Sequence, residues 1–157
     1  MYARGDKILY PMHGAGIVET IEEKEILGEL RQYYILKVSW GDMKMMIPVE
    51  TSNDIGVRPV IPESQIRDVI RVLNAETSAM SGNWNRRYRE NMEKLKTGDI
   101  LQVAEVVRNL IRTERHKKLS AGEKKMLVNA RQILQSELAL AGDMDESSAC
   151  KLVDEAV

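Results

Sequence analysis

The hydrophobic pattern of this chain changes its period once, around Pro59 and Pro62, and that change limits the folds open to it. Before Pro59, short apolar runs alternate with Gly-containing turns, as in antiparallel sheets. After Pro62, apolar residues recur every three or four positions, which is typical of amphipathic helices. No helix can continue through both prolines. The predicted α+β order is an antiparallel β module (1–58), a linker (59–63), a helical domain (64–141) and an acidic tail or short helix (142–157).

The β module is predicted to be a small barrel or a strongly bent sheet, because its strands are short and its turns are tight. The segment His13-Gly14-Ala15-Gly16 has the glycines of a phosphate-binding loop but lacks the following Lys-Ser/Thr and helix, so it is predicted to be a β-turn. Strands are predicted at 6–10, 17–22, 32–38 and 43–49, with further turns at 28–29 and 41–42.

Four helices are predicted after Pro62, each from an apolar stripe and from residues that suit a helix end. Ser120 and Glu123 have the spacing of a capping box, which predicts that the fourth helix begins there, and Gly142 is predicted to end it. The predicted ranges are 64–75, 84–97, 99–116 and 120–141.

The net charge of −1 conceals a strong partition along the chain. Residues 64–141 hold 15 Lys and Arg against 9 Asp and Glu, whereas the segments on both sides carry more acidic than basic residues. A basic middle between acidic ends predicts a polyanion as the partner of the helical domain alone.

The second helix carries the most informative stretch, Asn83 to Asp99. Trp84 follows a loop of small residues, and Tyr88, Met92 and Leu95 continue its stripe. Arg86, Arg87 and Arg89 lie largely to the sides of that stripe. One interpretation is contact with nucleic acid through an aromatic residue and its flanking cations. The other is a core tryptophan beside a solvated basic face.

Signals of catalysis are few. His13 and His116 are far apart, Cys150 is the one cysteine, and no metal-ligand spacing or nucleophile motif occurs. The chain is therefore predicted to be a non-enzyme without a metal, cofactor or small-molecule substrate. It shows no signal peptide and no run of transmembrane length, so a cytoplasmic location without a membrane partner is expected.

The sequence resembles the CarD/CdnL family of bacterial transcription regulators from Gly5 to about Leu140. In the β module, the N-terminal resemblance also extends to the RNA-polymerase-interacting module of the transcription-repair coupling factor. The segments that carry the resemblance are GDKILYPMHGAGIVETIE, LKVSWGD, IPVE, GVRPV, NWNRRYRENMEKLKTGD, VAEVVRNLIR and LSAGEKKMLVNARQILQSELALA.

This resemblance implies that a Tudor-like β module binds the β subunit of RNA polymerase, while the helical domain sits on promoter DNA at the upstream edge of the transcription bubble. The implied effect is stabilisation of the open complex without sequence-specific contacts. Trp84 matches a tryptophan that inserts into the minor groove. The basic positions of the DNA face are matched by Arg86, Arg87, Arg89, Lys124 and Lys125.

On the polymerase face, Lys24 matches a basic position of the family, whereas Met46 stands where some relatives carry arginine. The resemblance therefore implies a more apolar contact at Met46, and packing of Met45 and Met46 in the core is the alternative. Two other functions remain open. One is a protein–protein adaptor on the polymerase without functional DNA contact. The other is a sequence-specific repressor, for which a prominent aromatic wedge is less suitable because such proteins read bases in the major groove.

Overall fold

Short strands near the N-terminus form one antiparallel sheet in the computed structural model, which describes residues 1–38 and 43–157. The strand order is β4-β3-β2-β1-β5, and helices follow the sheet in the chain, so the predicted α+β order is confirmed. The turn predicted at 41–42 lies outside the described residues. The strands are β1 (Lys7–Tyr10), β2 (Gly14–Ile26), β3 (Glu29–Val38), β4 (Lys44–Pro48) and β5 (Arg58–Pro59).

The first turn lies earlier than predicted. Residues 11–13 form it, with Met12 at a φ of 69°, and Gly14 already begins β2. Gly16 lies within β2, where β3 passes so close that a side chain has no room. A Cβ there would lie 2.5 Å from the carbonyl oxygen of Lys37. Gly16 therefore serves strand packing, whereas Gly14 follows the turn directly at a φ of 117°, and the prediction of a turn at 13–16 was wrong.

One face of the sheet forms a small core of its own. β2 and β3 extend beyond this core as a two-stranded hairpin whose tip exposes Ile26, Leu27 and Leu30. Met45 is partly buried against the core, whereas Met46 is exposed. The fully enclosed members are Ile8, Val18, Tyr34, Leu36, Ile47 and Val57.

The second core lies among the helices and is centred on α4, which packs against three other helices. The predicted helices are present within a few residues of their expected ends. None of the described helices is long and apolar enough to cross a membrane. The helices are α1 (Ser52–Ile55), α2 (Ile66–Asn74), α3 (Trp84–Lys96), α4 (Ile100–His116), α5 (Ala121–Ala141) and α6 (Glu146–Ala156), with a 3₁₀ turn at Glu63–Gln65 before α2.

The acidic C-terminal segment, predicted as a tail or a short helix, is the helix α6. Asp145 caps it by accepting a hydrogen bond from the Ser148 N–H at 2.7 Å. Ala149 and Val153 are fully buried in the helical core, where α6 packs against α2 and α5. The charged residues lie on the exposed side, so the segment belongs to the helical core.

Candidate nucleic-acid interface

The N-terminal ends of α3 and α5 lie side by side, and we call residues 84–90 and 120–125 the α3–α5 corner. The indole Nε1 of Trp84 donates a hydrogen bond to the Ser120 hydroxyl at 2.8 Å. Gly122 faces the aromatic pair, since a Cβ there would lie 3.5 Å from the Trp84 ring and 3.6 Å from that of Tyr88. A small residue at this position lets α5 approach the two rings closely.

Trp84 stands at the exposed end of its stripe. Its side chain is 44% exposed and stacks on Tyr88, with the ring centroids 5.5 Å apart and the planes at 23°. Burial increases along α3: Tyr88 and Met92 pack partly against the helical core, and Leu95 is fully within it. The alternative interpretation of Trp84 as a core residue is therefore wrong, although the stripe it begins does enter the core.

Ser120 joins the two helices through a hydroxyl whose hydrogen and lone pairs are all used. It accepts from the indole of Trp84 and from the backbone N–H of Glu123 at 3.2 Å, and it donates to the Glu123 carboxylate at 3.1 Å. The predicted start of the fourth helix at Ser120 is confirmed. What the capping pattern could not show is the third bond, because Trp84 lies 36 residues away in the chain.

Arg87 is turned inward, unlike its neighbours. Its guanidinium makes two hydrogen bonds with the carboxylate of Glu123, at 3.0 and 3.2 Å, and a third with the Ser81 carbonyl at 3.1 Å. The side chains of Arg87 and Glu123 are only 13% and 5% exposed. The Arg87 guanidinium, aided by the Ser120 hydroxyl, holds the pKa of the Glu123 carboxyl below its usual value. The structure therefore separates Arg87 from the surface cations with which the sequence groups it.

The other basic residues of the corner face solvent. Arg86 pairs with Glu90 at 3.0 Å while remaining 69% exposed, and exposed pairs of this kind contribute well under about 1 kcal/mol. Arg89, Lys124 and Lys125 are exposed and make no ion pair within the described ranges. Four cations at the ends of two helices, where the helix dipoles are positive, make this corner electropositive.

The loop before Trp84 is fixed by an arginine that the sequence analysis did not single out. Arg108 is 4% exposed and donates to the Val72 carbonyl at 2.8 Å and to the Ser78 hydroxyl at 2.7 Å. Arg112 reinforces it through the Ala75 carbonyl at 2.6 Å. A signal was present, because position 108 falls on the apolar stripe of α4, where an arginine has to be buried and paired.

The two predicted polymerase contacts lie on one face of the sheet. Lys24 pairs across the strands with Arg31, and Met46 pairs with Ile35. Residues opposite each other share a face, as do residues separated by two along a strand, so these four side chains point the same way. Lys24 and Met46 are separated by about 13 Å along β3. Lys24 is close to Glu22 at 3.5 Å, and Met46 is 39% exposed.

No group of three or more His, Cys, Asp or Glu residues that could hold a metal ion occurs in residues 1–38 and 43–157. Cys150 lies on α6, where its sulfur accepts a hydrogen bond from Arg131 at 3.4 Å. The α3–α5 corner holds two acidic residues, and both are paired: Glu123 with Arg87 and Glu90 with Arg86. The arrangement at the corner is suited to binding an anion through exposed cations beside an aromatic ring.

Comparison with known proteins gives two family matches and one similar protein. Residues 2–61 match the CarD-like/TRCF RID domain, which has a Tudor-like fold, and residues 68–154 match the CarD C-terminal domain. The chain is 43% identical to the "Putative transcription factor YdeB" of Bacillus subtilis (strain 168) over 146 residues, which is 93% of this chain and 95% of that protein. The two matches together include the sheet, the α3–α5 corner and α6. The chain therefore belongs to the CarD/CdnL family of transcription regulators.

Proposed function

We propose that this protein stabilises the open promoter complex of bacterial RNA polymerase. Its β module binds the polymerase β subunit, and its α3–α5 corner holds DNA at the upstream edge of the transcription bubble. The observation that carries the proposal is Trp84, which is fixed in a half-exposed position among exposed cations. Family membership supports the assignment to transcription regulation.

Trp84 is suited to insertion between bases because its one polar atom is already satisfied. An indole N–H that loses water on insertion and finds no partner costs free energy. Here the N–H keeps its bond to Ser120, so the ring presents mainly apolar surface to the DNA. Apolar side chains that enter the minor groove unstack a base step, and a distorted step at the bubble edge is easier to unstack than intact duplex.

The exposed cations supply contacts with phosphate that do not depend on sequence. Arg89, Lys124 and Lys125 offer charges that no acidic residue of the described chain pairs with, and Arg86 exchanges a weak surface pair for a phosphate at little cost. We assign Arg87 a different role from the phosphate contact that the sequence predicts. Because it is bound to Glu123 and Ser81, it orders the seat of Trp84 and does not reach the DNA itself.

The proposed polymerase contact is the part of the sheet around Lys24 and Met46, both of which are exposed. Met46 supplies an apolar surface where an arginine would have formed an ion pair, and Ile26 on the hairpin extends that apolar surface beyond Lys24. Tethering raises the local concentration of the helical domain at the DNA, so the DNA contacts themselves can be weak. A preference of about 1.4 kcal/mol for melted over closed DNA shifts the melting equilibrium about tenfold.

The test is the lifetime of open complexes on a ribosomal-RNA promoter with the cognate polymerase. Wild-type protein is expected to prolong the lifetime by about tenfold, and Trp84→Ala is expected to lose most of this effect while keeping its circular dichroism spectrum. Val128→Ala, which truncates another exposed apolar side chain on α5, is the matched control and should act as wild type.

Two outcomes would contradict the proposal. If Trp84→Ala prolongs the lifetime as wild type does, the tryptophan does not insert into the DNA. If no protein changes the lifetime although all bind polymerase, the chain acts as a protein–protein adaptor. Crosslinking from position 84 within the polymerase–promoter complex then identifies what the corner contacts.

A further inference from the structure

One helix contacts both Trp84 and the β module. The N-terminal turn of α5 holds Trp84 through Ser120, and the C-terminal half of the same helix contacts the β module through Ser136, Glu137 and Leu140. At 1.5 Å per residue, Ser120 and Glu137 are about 25 Å apart along the helix axis. Any rotation of the β module against α5 would therefore change where Trp84 lies relative to the sheet.

The contact at Glu137 is an ion pair between the sheet and α5 in which the glutamate is buried and the Arg58 side chain is 28% exposed. Glu137 is 1% exposed, and its two carboxylate oxygens accept from the guanidinium of Arg58 at 2.6 and 2.8 Å. The backbone N–H of Ile61 donates to the same carboxylate at 2.9 Å. Arg58 also donates twice to the carbonyl of Gly98, at 2.7 and 3.1 Å, so it ties the turn between α3 and α4 into the junction.

Further contacts surround this pair on the same side of the sheet. The Ala15 N–H donates to the buried Ser136 hydroxyl at 2.9 Å, and the Lys7 ammonium donates to the Leu140 carbonyl at 2.9 Å. Leu9 and Ala15 are strand residues, yet they belong to the helical core rather than to the core of the sheet. Predicted linker residue 60 is also held, since its N–H donates to the Lys7 carbonyl at 3.0 Å.

An ion pair with a buried carboxylate is a costly way to join two surfaces, because Glu137 loses its water and Arg58 loses much of its own. Apolar residues of similar size often hold such a contact equally well. What the ion pair adds is direction: the fork of Arg58 can satisfy the Glu137 carboxylate and the Gly98 carbonyl together in one arrangement only. The junction is therefore built for a defined orientation as well as for adhesion.

We propose that Arg58 and Glu137 are positioning residues that hold the β module and the α3–α5 corner as one rigid body. In this arrangement the polymerase contact determines where Trp84 meets the DNA, and no part of the binding free energy is lost in ordering a hinge at that moment. This inference rests on the proposed function for its consequence in transcription. The rigidity itself is a property of the free protein and is tested without polymerase.

The first experiment measures the distance between spin labels on the two halves of the free protein. Labels are placed through Gln32→Cys on the hairpin and Val128→Cys on α5, in a background carrying Cys150→Ser. We expect one narrow distance distribution in this background. Glu137→Gln, which keeps the side-chain shape but removes the charge, should at least double its width.

The control for that variant is Arg131→Ala, which removes an ion pair between α5 and α6 but does not touch the junction. It should leave the distribution narrow. Arg58→Lys is the second variant, in case Glu137→Gln does not fold; it keeps the charge and removes the fork, so it should broaden the distribution as well. A distribution that stays narrow in folded Glu137→Gln and Arg58→Lys overturns the inference.

The second experiment measures open-complex lifetimes with the same variants at saturating protein. We expect Glu137→Gln to bind polymerase within about twofold of wild type, yet to lose most of the prolongation, whereas Arg131→Ala retains it. A broadened distribution with a full wild-type effect on lifetime would show that rigidity is not used, which overturns the inference. If wild type itself does not change the lifetime, the proposed function fails, and the label distances still decide whether the pair holds the junction.

Discussion

At the scale of single residues, Glu123 links the start of α5 to the orientation of Trp84. It is the third residue of the helix, where the helix dipole stabilises a carboxylate. Its side chain accepts hydrogen bonds from Arg87 and from the Ser120 hydroxyl. Its pKa is lowered first by the hydrogen bonds from Arg87 and also by those from Ser120. The folded protein therefore stabilises the ionised form of the Glu123 carboxyl over the protonated form.

This lowered pKa predicts how stability depends on pH. A carboxyl whose pKa is lower in the folded state contributes stability above its unfolded pKa of about 4.3, and the contribution is lost as the pH falls through the folded value. At pH 7, Glu123→Gln should lower the free energy of unfolding by about 3 kcal/mol, because Arg87 is left without its buried partner. The loss should shrink below about pH 4. Urea denaturation followed by circular dichroism at pH 7 and in mild acid measures both values.

The matched control is Glu90→Gln, which breaks the exposed pair with Arg86 on the same helix. It should cost less than about 0.5 kcal/mol at pH 7 and leave the pH dependence unchanged. Equal losses in the two variants would mean that burial adds nothing to the Arg87–Glu123 pair. In that case, Arg87 would be free to contact phosphate as the sequence predicted.

At the scale of elements, helix ends could be predicted because their signals are local. Ser120 and Asn83 cap helices through side-chain bonds to residues three positions ahead. The outer part of β2 beyond the predicted end at Glu22 could not be predicted, since Glu23 to Ile26 show no apolar alternation and form a strand by pairing with β3. The fate of the acidic segment was equally undecided, because two apolar residues among charges fit a tail as well as a helix.

The burial of α6 leads to a prediction about stability. Val153 is fully buried between α6 and the rest of the helical core, so Val153→Asp places a carboxylate there without a partner. We expect a loss of about 3 kcal/mol or more in the free energy of unfolding. Lys151→Asp introduces the same residue on the exposed side of the helix and should cost less than about 0.5 kcal/mol. Thermal melts measure the difference. Equal melting temperatures for the two variants would show that α6 does not unfold cooperatively with the rest of the helical core.

At the scale of the whole molecule, the sequence predicted two differently built parts but not how they join. The change of period and the charge partition are properties of long segments, and the structure has its sheet before the change of period and its main helices after it. The junction depends on Arg58 meeting Glu137, 79 residues later in the chain, and on Ile61 lending a backbone N–H to the same carboxylate. Nothing in either local sequence indicates this contact. The inward turn of Arg87 was missed for the same reason.

The charge partition makes a prediction that separates the corner from overall charge. The slope of log affinity against log salt concentration is negative, and it becomes shallower by about 0.9 for each phosphate contact that is lost on duplex DNA. Replacing Arg89, Lys124 and Lys125 with alanine should therefore make the slope for binding to preformed polymerase–promoter complexes shallower by up to about 2.7. Titration of labelled protein at several KCl concentrations measures this slope.

A second triple variant removes the same net charge elsewhere: Arg71 on α2, Lys96 at the end of α3 and Lys151 on α6, all exposed. If the corner binds the DNA backbone, this control keeps the wild-type slope, because charges that touch no phosphate release no counterions. Equal slopes in the two triple variants would mean that the basic helical domain attracts DNA only through its total charge. The cations beside Trp84 would then have no special place in the complex, and the orientation fixed by Arg58 and Glu137 would have no DNA contact to direct.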